Sequence, residues 1–173
     1  TGAHNPLISN EFFDLVQETR GVNKGVWGSK TFAFRGLLKC GRCTADITAQ
    51  DKFKTLKNGD IKRFVYYNCT RRKDPNCAEK YVNEERLCEL MQGFIEKHHE
   101  DIKITEKLRA RVDKHFYTTK TILTHYKIDQ KLDNPFIEYA RYVLADGTDS
   151  ERTFLASNMG PMLQIKDGEL EFY

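Results

Sequence analysis

The sequence predicts an α+β fold, in which a small β ribbon is flanked by helices and a C-terminal helix and β-hairpin pack back onto it. Three observations predict this. Cysteines recur as Cys40-x2-Cys43 and Cys69-x7-Cys77, β-branched and aromatic residues surround Asn58-Gly59, and apolar residues follow helical spacing from Val82 onward. A period that changes from two to 3.6 residues indicates strands followed by helices.

Residues 1–29 are predicted to hold one short helix and a linker. Ser9 can cap the helix and Glu11 lies in its first turn, where an acidic side chain is favourable. Three glycines within residues 21–28 then indicate a flexible connection. At 173 residues, the chain fits one domain with small attachments.

The ribbon is predicted over residues 30–82. Residues 32–38 lead into Cys40 with strand character, and Ala45–Phe53 leave the first cysteine pair as a second strand. Asn58-Gly59 predicts a hairpin with a type I′ turn, which needs positive φ at both central residues. Ile61–Asn68 is rich in β-branched and aromatic residues, so it is predicted to return to Cys69.

The four cysteines Cys40, Cys43, Cys69 and Cys77 predict one structural Zn²⁺ site, because four thiolates complete a tetrahedron and leave no open position. A thioredoxin-like redox pair at Cys40 and Cys43 is the first alternative, but it needs a βαβ context that does not follow. Disulfides in a secreted protein are the second alternative. Three observations count against it: five cysteines are an odd number, no signal peptide is visible, and the lysine-rich composition suits an intracellular protein. The fifth, Cys88, is predicted to be a small buried apolar residue.

Several motifs around these cysteines are similar to a known family. Residues 34–43 (FRGLLKCGRC), 66–69 (YYNC) and Cys77 resemble the recombinase zinc ribbon of the large serine recombinases, which are integrases and transposases of phages and mobile elements. Residues 5–13 resemble the end of the domain that precedes that ribbon, and Thr148–Phe172 resemble the family's closing helix and hairpin. The resemblance implies that residues 1–29 end the recombinase domain, and that the chain takes part in DNA recombination.

Positive charge is concentrated in the ribbon. Residues 30–86 carry 14 Lys and Arg against 7 Asp and Glu, whereas residues 87–173 carry 12 against 15. This asymmetry predicts an anionic partner for the ribbon, and scattered surface charge is the alternative. A two-stranded ribbon can enter the DNA major groove, where Arg reads guanine and Lys neutralises phosphate. The predicted DNA-binding residues are Arg42, Lys54, Lys57, Lys62, Arg63, Arg71, Arg72 and Lys73.

Tyr66 and Tyr67 alternate faces of their strand, so one is expected in the core and the other exposed.

Residues 83–133 are predicted to be helical, with Asn83 as a possible cap. One long helix or two antiparallel helices both fit, because no Gly or Pro falls between Gly93 and Pro135. The large serine recombinases carry a coiled coil at this place, and residues 83–127 resemble it in position. Helices packed on their own ribbon are the alternative. His98, His99, His115 and His125 show no metal-binding spacing and are predicted to be structural or surface residues.

Residues 134–173 are predicted to complete the zinc domain. Pro135 suits the first turn of a helix over Phe136–Leu144, and Thr148–Ser157 form a second short helix. Asp167-Gly168 then joins two strands of a closing hairpin.

The sequence lacks a P-loop, a nucleotide-binding glycine motif, paired catalytic carboxylates and a Ser-His-Asp set. No apolar run approaches a membrane span, and no small-molecule substrate is indicated. In the family the nucleophilic serine lies in an N-terminal domain upstream of the residues that carry the resemblance, so this chain is expected to catalyse nothing alone. It is expected in the cytoplasm, in a bacterial nucleoid or phage-infected cell, bound to a double-stranded DNA attachment half-site together with other recombinase subunits. The alternatives are a protein-interaction module that uses residues 83–127, and a zinc ribbon that binds RNA.

Overall fold

Residues 31–173 are described in a computed structural model, and they form a mixed α+β architecture, as the sequence predicts. The strands of the ribbon and the helices that follow it appear in the predicted order. The elements are β1 (Leu38–Cys40), β2 (Ile47–Thr55), β3 (Ile61–Cys69), β4 (Val82–Asn83), α1 (Glu84–His98), β5 (Lys103–Ile104), α2 (Glu106–His125), α3 (Pro135–Asp146), α4 (Asp149–Ser157), β6 (Met159–Gly160), β7 (Leu163–Lys166) and β8 (Glu169–Phe172). The predictions for residues 1–29 lie outside the described residues.

The ribbon is a long antiparallel hairpin of β2 and β3, and β4 adds a short third strand beside β3. Ile47 pairs with Cys69 at its base, and Thr55 pairs with Ile61 at its tip. The predicted hairpin is therefore confirmed. The lead-in differs from the prediction, because residues 33–37 form turns and only Leu38–Cys40 are strand. Gly36 takes a φ of +74° there, and its N–H donates to the Ile47 carbonyl.

The turn at the hairpin tip is not the predicted type I′ turn. Of its two central residues only Gly59 has positive φ, at +89°. The connection is longer than two residues: the Gly59 N–H donates to the Leu56 carbonyl, and the Leu56 N–H donates to Asp60. A β-turn followed by a left-handed glycine closes the hairpin, so one residue with positive φ suffices.

The C-terminal hairpin of β7 and β8 returns to the ribbon, as predicted. β7 pairs in parallel with β1, from Leu38 opposite Leu163 to Cys40 opposite Ile165. The last residue of β1 is a predicted metal ligand, so this pairing places the end of the chain beside the cysteines. The hairpin turn at Asp167-Gly168 has positive φ at both residues, 55° and 82°. This turn, rather than Asn58-Gly59, has the backbone angles of a type I′ connection.

The helical segment holds two helices rather than one. α1 ends at His98, the chain pairs β5 with β6, and α2 then begins after its N-cap Thr105. Both helices pack against α3, and α1 also packs on β3 and β4 of the ribbon and on β8 of the C-terminal hairpin. The sequence left this choice open, because the break needs neither Gly nor Pro. No helix in the described part of the chain is long and apolar enough to cross a membrane.

Side-chain caps fix where the helices begin. Asn83 caps α1 as predicted, accepting from the Arg86 N–H, and Asn134 caps α3 just before Pro135. Thr148 and Glu151 form a reciprocal capping box at α4. The core then joins ribbon and helices through fully buried side chains, which include Phe34, Leu38, Ile47, Tyr67, Leu87, Met91, Ile95, Leu108, Val143, Leu155 and Ile165.

Candidate metal centre and basic ribbon surface

The four predicted ligands lie together. The Sγ atoms of Cys40, Cys43, Cys69 and Cys77 are all within 4.8 Å of one another. Cys40 Sγ is 3.6 Å from Cys77 Sγ, and Cys43 Sγ is 3.3 Å from Cys69 Sγ. Thiolates at about 2.3 Å from one tetrahedral ion would stand about 3.8 Å apart, so the cluster fits one metal ion.

Local backbone structure delivers each ligand. β1 ends in Cys40, and the turn that follows is closed by the Thr44 N–H donating to the Cys40 carbonyl, with Thr44 at a φ of 59°. β3 ends in Cys69, whose Sγ accepts from the Arg71 N–H at 3.2 Å. Cys77 follows a turn in which its N–H donates to the Asp74 carbonyl. Two strand ends and two tight turns therefore converge on one point.

The cysteine cluster is largely buried from solvent. Cys40, Cys69 and Cys77 are buried and Cys43 is half-buried. Burial raises the pKa of Cys40, and it raises the pKa of Cys69 to about 12. Burial thus disfavours the charged thiolate form of both side chains. A metal ion that binds here must displace the thiol protons, since thiolates are the ligands.

A buried glutamate joins the cysteine turn to the C-terminal hairpin. The Glu79 side chain is 1% exposed, and its carboxylate lies 3.3 Å from Arg42 Nε. It also accepts from the backbone N–H groups of Asp167 and Gly168, at 3.1 and 3.3 Å. Arg42 pairs with Asp167 as well, and Gly41 donates to the Ile165 carbonyl. These bonds close the metal end of the ribbon against β7 and β8.

Sequence reasoning missed Glu79. The available signal was its position, two residues after Cys77 and acidic within a basic segment. Glu79 forms an ion pair with Arg42, which is one of the predicted DNA contacts. The guanidinium has two intramolecular carboxylate partners, although its side chain remains 44% exposed.

The other predicted DNA contacts divide into paired and unpaired groups. Arg63 pairs with Asp51, Lys62 pairs with Glu85, and Lys73 Nζ donates to Thr44 Oγ1. Lys54 lies over the Phe64 ring. The remaining three residues are exposed and form no ion pair with any residue in 31–173: Lys57, Arg71 and Arg72.

The tyrosine pair divides between the two faces of β3. Tyr67 is buried, its hydroxyl donates to Glu84, and it accepts from the Phe34 N–H. Burial and the neighbouring Glu84 carboxylate raise the pKa of Tyr67. Tyr66 is half-buried on the opposite face, with Lys52 over its ring. Tyr67 is thus the core residue, and Tyr66 belongs to the solvent-facing side of the ribbon.

The remaining candidate ligands lie in packing positions. Cys88 is buried in α1, and burial raises its pKa to about 11. The His98 ring packs between Phe94 and Phe172, and the His115 ring stacks on Tyr142. Within residues 31–173 the Cys, His, Asp and Glu side chains form one cluster with metal-ligand geometry, the four cysteines.

The second half of α2 and the loop after it expose several large apolar side chains. The exposed fractions are 68% for Tyr117, 49% for Ile122, 69% for Tyr126 and 52% for Ile128. Phe116, Leu123, Ile128 and Leu132 line an open hollow there of about 510 Å³. The predicted interaction segment 83–127 thus has one half packed on α3 and one half exposed.

Comparison with known families gives one match. Residues 33–95 match the recombinase zinc beta ribbon domain, which confirms the resemblance drawn from the cysteine motifs. The match covers β1–β4 and most of α1, about a third of the chain. No curated protein sequence gives a significant match.

Two solved structures are similar at low identity. One belongs to a study of the sequence requirements of the Listeria innocua prophage attP site. It shares 17% identity and a TM-score of 0.41, over 99% of this chain and 56% of that one. The other is a crystal structure of an LSR–DNA complex, with 17% identity and a TM-score of 0.44, over 99% of this chain and 67% of that one. This chain thus spans little more than half of the first structure's length.

Proposed function

We propose, from the premise that residues 33–95 form a recombinase zinc beta ribbon domain, that this chain is a DNA-binding region of a serine recombinase. It would recognise part of an attachment half-site, and the catalytic serine would come from a domain outside this chain. The proposed setting is the bacterial or phage-infected cytoplasm, with other recombinase subunits on the same DNA.

The observation that carries this proposal is the set of exposed cations without an ion pair at both ends of one hairpin. Its base is held by four clustered cysteines and by the ion pair between Arg42 and the buried Glu79, whereas its exposed surface presents cations without an ion pair in residues 31–173. Lys57 lies at the tip, and Arg71 and Arg72 follow the metal ligand Cys69. These three cations form no ion pair in residues 31–173 that would have to break before they approach a polyanion.

Zn²⁺ is the proposed metal, as one ion. The four sulfurs are soft ligands at distances that suit a tetrahedral ion, and a four-thiolate site leaves no position for a reacting water. When bound, the ion supplies folding energy. The protein positions the ligand and the residue beside it. Cys69 ends β3 at the cluster, and its Sγ accepts a hydrogen bond from the N–H of Arg71, which has a φ of 56°.

Arg71 and Arg72 are proposed to make the closest DNA contacts. Arg can form two hydrogen bonds to guanine O6 and N7 in the major groove, whereas Lys54, Lys57, Lys62 and Lys73 would neutralise phosphates. Arg42 and Arg63 would contact DNA only by sharing or leaving their carboxylate partners. We therefore rank them below Arg71 and Arg72.

Selection from a random duplex DNA pool tests the proposal. The protein is incubated with the pool at moderate salt, with and without a zinc chelator, and bound duplexes are sequenced. A sequence motif that depends on the metal supports direct recognition of a half-site. Enrichment that is equal with and without chelator, or no enrichment at all, contradicts it. A matched RNA pool separates DNA binding from the RNA alternative.

A second candidate function is a protein-interaction module. The observation that favours it is the exposed apolar half of α2, with Tyr117, Ile122 and Tyr126 in solvent. Salt dependence separates the two candidates. Contact with 6–10 phosphates weakens binding by about 10³–10⁵ between 50 and 200 mM salt, whereas an apolar contact changes far less.

A further inference from the structure

We propose that the tip of the β2–β3 hairpin contacts thymine methyl groups in the DNA major groove, through Leu56 and Ile61. This inference rests on the proposed function, since it names the base chemistry that the tip would recognise. The cations considered above give affinity and guanine contacts. Neither role accounts for apolar side chains at the same place.

The face of β3 that enters the protein core continues toward the tip, where it carries Arg63 and Ile61. Residues 61, 63, 65 and 67 of β3 share one face, because side chains alternate along a strand. Tyr67 is 1% exposed and Val65 is 8% exposed, but Ile61 on the same face is 71% exposed. Leu56, at the start of the tip loop, is 40% exposed. Two large aliphatic side chains thus project where the core has ended.

The charge around these side chains favours an anionic partner. Residues 52–63 contain four lysines and Arg63, and Asp60 is the acidic residue among them. Lys57 and Lys62 lie in the same tip as Leu56 and Ile61, and Lys54 is one residue before the end of β2. A partner must therefore combine dense negative charge with an apolar group that a two-stranded tip can reach.

Duplex DNA has this combination. Its major groove admits a two-stranded β ribbon, and thymine displays its 5-methyl group there between phosphate strands. The minor groove displays no methyl group, so the inference also assigns the groove. Uracil lacks the methyl group, which allows the contact to be removed from the DNA side without changing base pairing.

The test uses a duplex isolated by the selection described above, and copies in which deoxyuridine replaces thymidine at one position at a time. Affinity is measured for the wild-type protein, for the Leu56→Ser/Ile61→Ser variant and for an Ile122→Ser control. Ile122 is 49% exposed on α2, so the control removes a similar side chain outside the ribbon. Metal content and circular dichroism show that each variant is folded.

We expect wild type to lose about fourfold in affinity at one or two deoxyuridine positions, the factor that corresponds to burying one methyl group. The double variant should bind thymidine and deoxyuridine copies equally and keep the wild-type salt slope, and the control should behave like wild type. Equal sensitivity of wild type and double variant to deoxyuridine overturns the inference while leaving the proposed function intact. Failure of the wild type to bind any duplex overturns the proposed function and the inference with it.

Discussion

The two ends of the ribbon hairpin differ in almost every physical respect. At the base, Cys69 is buried and Glu79 closes a network of hydrogen bonds to the C-terminal turn. At the tip, Ile61 is 71% exposed and Lys57 has no ion-pair partner among the described residues. The same two strands thus end in a buried scaffold at the base, beside which Arg71 and Arg72 are exposed, and in a fully exposed tip. Stability should depend on the base, and binding should depend on the exposed surface.

The largest effect should follow loss of a metal ligand. Cys69→Ser removes one of four thiolates, and structural zinc supplies about 10–16 kcal/mol in zinc-finger peptides, so the ribbon should unfold and lose its metal. Metal analysis and near-ultraviolet circular dichroism measure this. Cys88→Ala is the control, because Cys88 is buried in α1 outside the cluster. A Cys69→Ser protein that keeps a full metal complement would refute the ligand assignment.

The next effect concerns the buried carboxylate at the base. Glu79→Ala leaves the Asp167 and Gly168 N–H groups and Arg42 without this acceptor, so unfolding free energy should fall by about 2 kcal/mol. Urea denaturation of the metal-loaded protein measures it. Glu169→Ala, an exposed change in the same hairpin, should have little effect. Equal midpoints for the two variants would show that Glu79 does not secure the hairpin.

Two glycines compare a closely packed position with an open one: Gly41 lies against β7, and Gly93 faces open space on α1. A Cβ at Gly41 would lie 2.5 Å from Lys166 Cβ and 3.2 Å from the Ile165 carbonyl oxygen. Gly41→Ala should therefore cost about 1–3 kcal/mol. A Cβ at Gly93 in α1 meets nothing within 4 Å, so Gly93→Ala should stabilise by about 0.5–1 kcal/mol. Thermal unfolding measures both, and a Gly41→Ala protein as stable as wild type would contradict the packing at β7.

The smallest effect on stability should come from the exposed tip. Lys57→Ala removes an exposed side chain with no ion pair in residues 31–173, so unfolding free energy should stay within about 0.5 kcal/mol of wild type. The melting temperature of the metal-loaded protein measures this. A large decrease would mean that the tip is part of the folded core, and the division between the two ends would not hold.

Most of the ribbon could be predicted from sequence because its signals are local. Cysteine spacing, β-branched strands and Asn58-Gly59 identify the metal cluster and the hairpin. The predicted turn type was wrong. Loop length decides the turn type, and that length depends on where strand pairing ends, at Thr55 and Ile61. Glu79 and the pairing of Arg42 were not foreseen, because both depend on the C-terminal hairpin returning from more than 80 residues away.

In the helical segment too, features that depend on contacts between distant residues could not be predicted from the sequence. Its apolar spacing predicts helix but cannot show that α1 ends at His98. That break is stabilised by β5 pairing with β6, residues far apart in the chain. Likewise, sequence showed which residues are basic, but only tertiary contacts separate Arg63, paired with Asp51, from Arg71 and Arg72.

The salt dependence of DNA binding by an arginine variant tests the central claim most directly. Affinity for the selected duplex is measured between 50 and 200 mM salt for wild type, for Arg71→Ala/Arg72→Ala and for Lys107→Ala/Lys114→Ala, which removes equal charge from α2. If Arg71 and Arg72 each meet a phosphate or the base beside it, their variant should bind more weakly. Its salt slope should fall by up to about 1.8, from about 0.9 per phosphate contact. The α2 variant should match wild type. Equal slopes and affinities for all three proteins would contradict a DNA-binding surface at the metal end of the ribbon.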